Sequence, residues 1–492
     1  GRIDTEEKAE GRGSLFVLDD SATANVAASY PQALPLPKKG FRISCKHKTT
    51  RAQEFLISLN YLDAAGVWLS GRNTDLSVRG AETWQTFEAE HASFPEGAVA
   101  CRLTVYAAGY QEPGVATGGL WLDALSVVDL DTGKEVVEGG EFEPVDVQRA
   151  APVFDWSAWD AAMTRAFTNY HFNTFVMHVE GLGGGTFHER YEPAFLGYPG
   201  GTPEYDILIG KYLKGIESHL REKGWLDRAY VYWFDEPDAK DYAFVSRGFE
   251  TLKRHAPGLR LMLTEQVEKE LVGGPNLWVP LTPHLNVEGL EERRAAGDQF
   301  WWYICCVPKT PYATEFIDKP GTELRVWLWQ TWSERVTGVL IWETVYWTSD
   351  TAYPDRRRPQ NPYLDPMSWV VGYGVPAGTK RPWGNGDGRF LYPPPAAADG
   401  APAAPVLDGP IGSVRLEMLR DGVEDYEYFA ILRRLLAEKG ARLDPRARAN
   451  MEALLTVPAD VSASLTRFTN DPATIEAHRD KLARAIVELL KR

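Results

Sequence analysis

Two adjacent carboxylates, Asp235 and Glu236, close the apolar run Ala229-Tyr230-Val231-Tyr232-Trp233-Phe234 and are followed by Pro237. Successive side chains at a strand end diverge, so such a pair can divide its work. One acid gives a proton to a leaving oxygen while its neighbour engages another part of the same molecule. Two further carboxylates, Glu265 and Glu343, end the apolar runs Leu259–Thr264 and Gly338–Trp342. Either could serve as a nucleophile toward an acetal carbon whose leaving group Glu236 protonates, provided the carboxyl groups lie about 5–5.5 Å apart. Tyr303, in the run Gln299-Phe300-Trp301-Trp302-Tyr303-Ile304-Cys305-Cys306, adds a phenol able to polarise a carbonyl. An Asp at a strand end can equally cap the next helix, so the surrounding pattern has to decide.

The acid-bearing run is apolar at successive positions, as in a strand buried on both faces of a parallel sheet. Pro237 cannot donate to a ladder and biases Glu236 toward an extended backbone. Around this run, helices and buried strands alternate. Apolar residues at helical spacing cover Trp156–Tyr170, and a strand over Asn173–Val179 carries His178. A helix over 204–223 leads to the acid pair, and a helix over 238–255 leads to the strand Leu259–Thr264. Leu277–Pro280 follows, then a helix near 287–296, the Gln299–Cys306 strand, a helix over 321–335, and Gly338–Glu343. This alternation predicts an α/β fold with a (β/α)8 TIM-like barrel. Six strands are clear and two doubtful, so closure with eight is inferred from a length near the ~250 residues of such barrels. Acids at the carboxyl ends of barrel strands face the end where barrels keep their chemistry.

Residues 1–148 carry no helical period. They alternate with period two at Phe41–Cys45, Glu54–Tyr61 and Ala100–Tyr106 and close at Gly119–Val127, which predicts an N-terminal β-sandwich of jelly-roll type. The barrel would occupy 149–410, with a Pro-, Gly- and Tyr-rich loop over 344–410 that contains Gly384-Asn385-Gly386-Asp387-Gly388. So long an irregular stretch beside a barrel is more often functional than a plain linker. Residues 411–492 form a C-terminal helical segment, with helices near 413–438, 445–456 and 474–491 packed on the barrel. The Gly181–Thr186 stretch lacks both the lysine of a phosphate-cradling loop and the dinucleotide spacing.

Of the 492 residues, 44% are hydrophobic and 25% charged, the balance of an ordinary soluble globular protein. A formal net charge of -15 argues against a nucleic-acid partner, and no apolar run approaches the ~20 residues that span a bilayer. Without a CxxC pair or HExxH, no metal and no cofactor is expected. Cys305 and Cys306 are expected as reduced core residues, whereas Cys45 and Cys101 either pair or remain two thiols. The chain opens at Gly1 without a basic, apolar leader, so a signal was either removed or never existed and the compartment is not readable from the terminus; a secreted or periplasmic setting is slightly favoured over a cytoplasmic one. Oligomeric state is not readable from these features. The 17 Trp residues offer faces for stacking on sugar rings, although each taken singly fits a core as well.

Three segments resemble the family known as domain of unknown function 4091, grouped with glycoside hydrolase family 123. The first is Lys223-Gly224-Trp225-Leu226-Asp227-Arg228-Ala229-Tyr230 leading into Asp235-Glu236-Pro237, and the second is the Gly386-Asp387-Gly388…Tyr392-Pro393 loop. The third, Ser413-Val414-Arg415-Leu416-Glu417-Met418-Leu419-Arg420-Asp421-Gly422-Val423-Glu424-Asp425-Tyr426-Glu427-Tyr428, is the most specific because many charged residues recur at fixed offsets. The N-terminal stretch similarly resembles the jelly-roll modules that accompany carbohydrate-active enzymes, on Trp84–Phe87, Pro95–Ala98 and Leu120–Asp123.

The resemblance spans roughly 150–438. It implies a sandwich plus a (β/α)8 barrel that removes non-reducing-end N-acetyl-β-galactosaminyl residues with retention, by substrate assistance under an adjacent Asp-Glu pair. Glu236 would then be the general acid/base, and Asp235 would hydrogen-bond the acetamido N–H. Tyr303, Trp329, Trp342, Glu343, Trp347, Asp387 and His178 are the candidates for binding an oligosaccharide or glycoconjugate. Two other readings stand beside this one. In the first, Glu236 works with Glu343, or with Glu265, as a two-carboxylate retaining glycosidase on a sugar without an acetamido group. In the second, the chain is a non-catalytic glycan-binding protein.

Overall fold

The computed structural model describes residues 1–492 apart from 22–23, 110–116, 145, 350–359, 373, 400–405 and 492. The chain divides into two compact units, one of Gly1–Ala166, Val179–Gly184 and Tyr191–His219, the other of Phe167–His178, Gly185–Arg190 and Leu220–Arg492.

Two antiparallel sheets build the first unit. One runs Arg2–Asp4, Ser14–Asp19, Gly118–Asp129, Phe41–Thr49, Gln85–His91, with Lys134–Glu135 beside Gly118–Asp129. The other runs Ala27–Ser29, Ala100–Tyr106, Glu54–Leu62, Thr74–Arg79, with Leu34–Pro35 on Ala100–Tyr106. Side chains alternate across a strand, and every second residue of Phe41–Thr49 is buried. Phe41, Ile43 and Cys45 from the first sheet share one core with Phe55, Ile57, Leu59, Leu103 and Val105 from the second. Cys45 and Cys101 are both free thiols inside that core, so the disulfide alternative falls away. Burial pushes each thiol up to about 12, which leaves them protonated apolar filler.

In the second unit, Phe175–Val176, Ala229–Val231, Arg260–Leu263, Leu277–Trp278, Gln299–Tyr303 and Gly338–Leu340 form one parallel sheet in chain order. A strand order that follows the chain without reversal is that of a half-barrel and not of a doubly wound sheet. Closure with eight strands is not seen: among the described residues no ladder joins the two edge strands. The physical reason lies after Leu340. The next paired segments are antiparallel, Met367–Trp369 with Trp383–Asn385 and Leu391–Tyr392 with Ile411–Gly412, so the chain folds into its own loop instead of returning to the sheet.

Helices fall at Ser157–Thr168, Pro203–Glu222, Tyr242–His255, Leu290–Ala295, Thr322–Ser333, Val414–Lys439, Pro445–Ala453 and Pro472–Leu490. Thr322–Ser333 is buried along most of its length because Val414–Lys439 and Pro472–Leu490 contribute Phe429, Leu432, Ile475 and Leu482 to a core around its Val326 and Trp329. Within this core Arg325 makes a two-pronged ion pair with Asp425, at 2.6 and 3.1 Å. Among the described residues no helix is long and apolar enough to cross a membrane.

Candidate active site

The apolar run predicted as a single strand is broken in two. Ala229–Val231 lies in the parallel sheet, whereas Phe234–Asp235 pairs with a separate segment, Gly185 opposite Phe234 and Thr186 opposite Asp235. Trp233 sits at the break, its ring against Phe244 and Phe249 of the Tyr242–His255 helix. A Cβ on Gly248 of that helix would collide with the indole, so only glycine admits it. Glu236 then adopts φ +43°, a left-handed backbone where Pro237 predicts an extended one. For a residue with a side chain this conformation costs about 1–3 kcal/mol and persists only where its surroundings enforce it.

Those surroundings are specific. Thr264, directly after the Arg260–Leu263 strand, receives the Glu236 N–H at 2.9 Å and donates its hydroxyl to Asp235 Oδ1 at 2.9 Å. The Tyr232 hydroxyl also donates to Asp235 Oδ1. Tyr303, the last residue of Gln299–Tyr303, donates its phenol to Glu236 Oε1. Glu236, Thr264, Glu265 and Tyr303, with Phe187 and His284, line a cavity of about 310 Å³. It lies beyond the carboxyl ends of four neighbouring strands, the end where β/α sheets hold their ligands. A larger opening of about 440 Å³ lies at the amino ends. There Arg260 is engaged with Gln299 Oε1 and Thr174 Oγ1 at 2.9 and 3.0 Å, which fits a stabilising face.

Electrostatics separate the cavity groups. Burial, reinforced by negative Asp235, holds Glu236 above the usual carboxylate range, and the Tyr303 hydrogen bond pulls the other way. Burial pushes Glu265 up to about 7, with Glu268, Glu236 and Asp238 adding negative charge nearby. Burial and then the charge of Glu236 drive the Tyr303 phenol up, so it remains a donor. Among the described residues, no group of three or more His, Cys, Asp or Glu side chains is arranged to hold a metal ion.

Of the predicted site residues, Glu236 and Tyr303 are among those lining this cavity, whereas Asp235 and the others are not. Trp329 is fully buried in the helical core and donates its Nε1 to Asp425 at 2.8 Å, so it is no stacking platform. Asp387 is also fully buried; it accepts Trp342 Nε1 at 2.9 Å and Trp369 Nε1 at 2.6 Å, which makes it an anchor for two indoles and not a ligand contact. Glu315 lies buried beside it, held well above its ordinary range by burial and then by Asp387. Arg415 donates to the carbonyls of Glu315 and Gly386 at 2.5 and 2.8 Å, so the loop is tied to the Val414–Lys439 helix.

Glu343 turns its Oε1 back onto the Thr344 and Val345 N–H groups at 2.7 and 3.0 Å. Trp347 Nε1 donates to Leu391 O at 2.8 Å. His178 is exposed beyond Phe175–Val176, whereas Trp342 keeps 39% of its surface open. Cys305 and Cys306 are reduced but lie past the strand, half-buried, with Sγ atoms 3.6 Å apart.

Sequence reasoning overlooked Tyr232, Thr264, His284 and Phe187. Thr264-Glu265 carried a usable signal, a hydroxyl and an acid at a strand end like the Asp235-Glu236 pair. Phe187 carried none: it is held through its carbonyl by Lys240 Nζ at 2.7 Å, a contact between distant segments.

The chain-ordered parallel sheet thus presents Glu236, Glu265 and the Tyr303 phenol around one cavity at its carboxyl ends, and the family comparison makes the protein a glycosidase. The family model for the catalytic domain of glycoside hydrolase 123 matches residues 186–432. The chain belongs to glycoside hydrolase family 123. Among solved structures it is similar to a family 123 glycoside hydrolase from Clostridium perfringens, studied for glycolipid glycan hydrolysis, at 12% identity over 93% of this chain and 94% of that one, with TM-score 0.42. Shorter likenesses include a CBM22-1 xylan-binding domain from Paenibacillus barcinonensis, at 12% identity over 25% and 77% with TM-score 0.20. A family 11 carbohydrate-binding module from Clostridium thermocellum matches at 16% identity over 25% and 77% with TM-score 0.19. No curated protein matches the chain.

Proposed function

We propose that this glycosidase removes a non-reducing-end N-acetyl-β-hexosaminyl residue, N-acetylgalactosamine in the first instance, by substrate-assisted retention. Glu236, protonated in the resting enzyme, gives its proton to the glycosidic oxygen as the C1–O bond breaks. The substrate's own acetamido carbonyl oxygen attacks C1 and forms a cyclic oxazolinium intermediate. Asp235 accepts a hydrogen bond from the acetamido N–H and offsets the positive charge. Both protein donors to Asp235 use Oδ1, which leaves Oδ2 for that contact. Glu236, now ionised, takes a proton from the water that opens the ring, so C1 is inverted twice and its configuration retained.

The observation that carries this reading is the state of the carboxyls in the cavity. Glu236 and Glu265 are both held toward the protonated form by burial, and Glu343 is folded onto its own backbone. In this reading the nucleophile is therefore the substrate's own acetamido oxygen and not one of these carboxyls, and retention is the stereochemical outcome it predicts. The test compares p-nitrophenyl N-acetyl-β-galactosaminide with p-nitrophenyl β-galactoside, with a thiazoline analogue of the oxazoline as inhibitor. Turnover of the first only, with competitive inhibition, supports substrate assistance. Comparable turnover of both without inhibition overturns it in favour of a protein nucleophile.

A further inference from the structure

Glu265 lines the cavity from the position next to Thr264, the residue that fastens both acids, yet the steps above give it no task. Among the described residues its Oε1 accepts only the N–H of its own neighbour Gln266, at 3.1 Å. The charges that act on it, Glu268, Glu236 and Asp238, are all negative. The Gln266 side-chain amide donates to Glu268 Oε1 at 2.5 Å and is thereby occupied elsewhere. A carboxyl withdrawn from water without a cation or a set of donors is costly, and a ligand that brings donors relieves that cost. At about 310 Å³ the cavity lies at the small end of ligand pockets, suited to one sugar ring. Apart from its acetamido N–H, the donors such a ring presents are hydroxyls, which a carboxyl can bind in pairs.

We infer that Glu265 binds ring hydroxyls of the sugar whose glycosidic bond Glu236 cleaves, and so helps to select which hexoside is hydrolysed. The inference rests on Glu236 as the acid–base group of the reading above, and is independent of the acetamido group. Glu265 is a substrate-binding residue in this scheme and takes no part in proton transfer.

The experiment uses the full chain and the activated glycoside that it turns over fastest, together with the 3-, 4- and 6-deoxy forms of that glycoside. Glu265→Gln should lower kcat/KM for the parent by about 10- to 100-fold, the range of a buried polar group left unsatisfied. For the deoxy substrate that lacks the bound hydroxyl the same substitution should cost less than roughly threefold, the signature of a direct contact in a mutant cycle. An equal loss on all four substrates overturns the inference, because a structural or proton-transfer role would be blind to a single ring hydroxyl. Should Glu265→Gln fail to fold, Glu265→Asp is measured on the same four substrates by the same criterion. Preference for an N-acetylated over a plain hexoside reports on substrate assistance alone, so the two readings can fail separately.

Discussion

Tyr303 gives its phenolic hydrogen to Glu236 although the two lie 67 residues apart and the short strand before Glu236 belongs to a different sheet from Gln299–Tyr303. The bond opposes burial and Asp235, the two influences that raise the Glu236 carboxyl. Tyr303→Phe removes the donor and keeps the ring, so the carboxyl rises further. Activity that needs the protonated acid is full below its pKa and lost as pH rises through it. The alkaline limb of kcat/KM should therefore move up by about half to one pH unit, the equivalent of one neutral hydrogen bond.

The acid role proposed for Glu236 has a leaving-group signature. Glu236→Gln should reduce kcat by about 10²- to 10⁴-fold on an unactivated alkyl glycoside. The loss should be much smaller on a dinitrophenyl glycoside, whose departing oxygen needs no proton. Steady-state kinetics on the two substrates checks this, and equal losses would remove Glu236 from the role of acid.

Thr264→Val is nearly isosteric but deletes one acceptor and one donor. It strands the Glu236 N–H and leaves Asp235 Oδ1 with Tyr232 alone. Urea unfolding should show a loss of about 1–3 kcal/mol, and kcat should fall by more than KM rises.

Glu265 predicts a pH-dependent stability. Its folded-state pKa of about 7 exceeds the ordinary 4.5, so the folded chain binds the proton more tightly than the unfolded one. The associated stability is fully present below about 4.5 and is lost as pH rises through about 7. Glu265→Gln abolishes this loss: its Tm should exceed that of the wild type at pH 8 and equal it at pH 4.

Away from the cavity, Asp425 holds Arg325 and the indole of Trp329. Asp425→Ala removes the buried partner of Arg325 and leaves it only Glu476, at 2.5 Å, so the loss should fall below the ~3–5 kcal/mol of a fully uncompensated buried charge, measured by denaturant unfolding. Activity per folded molecule at low temperature should be retained.

The acid pair, the parallel alternation and the C-terminal helices were all legible from local pattern, because an apolar run ending at charged residues is a property of contiguous sequence. The strand count was not. Whether the chain after Leu340 rejoins the sheet depends on pairings such as Met367 with Asn385, which single-strand periodicity does not encode. Asp387 and Trp329 misled for a related reason: a polar group in a Gly-rich loop and a Trp on a helix look accessible until their partners are known. Those partners lie 45 and 96 residues away. The bend at Glu236 was hidden because Pro237 argues for extended backbone, and only the hydrogen bond from Glu236 to Thr264 overrides it.

One hydroxyl, that of Thr264, fastens both members of the acid pair. Their separation is consequently a single inherited dimension and not two adjustable ones. Moving Asp235 while Glu236 stays put would break one of the two Thr264 hydrogen bonds. A change of cavity shape that leaves the pair in place would fall on other lining residues such as Phe187 and His284.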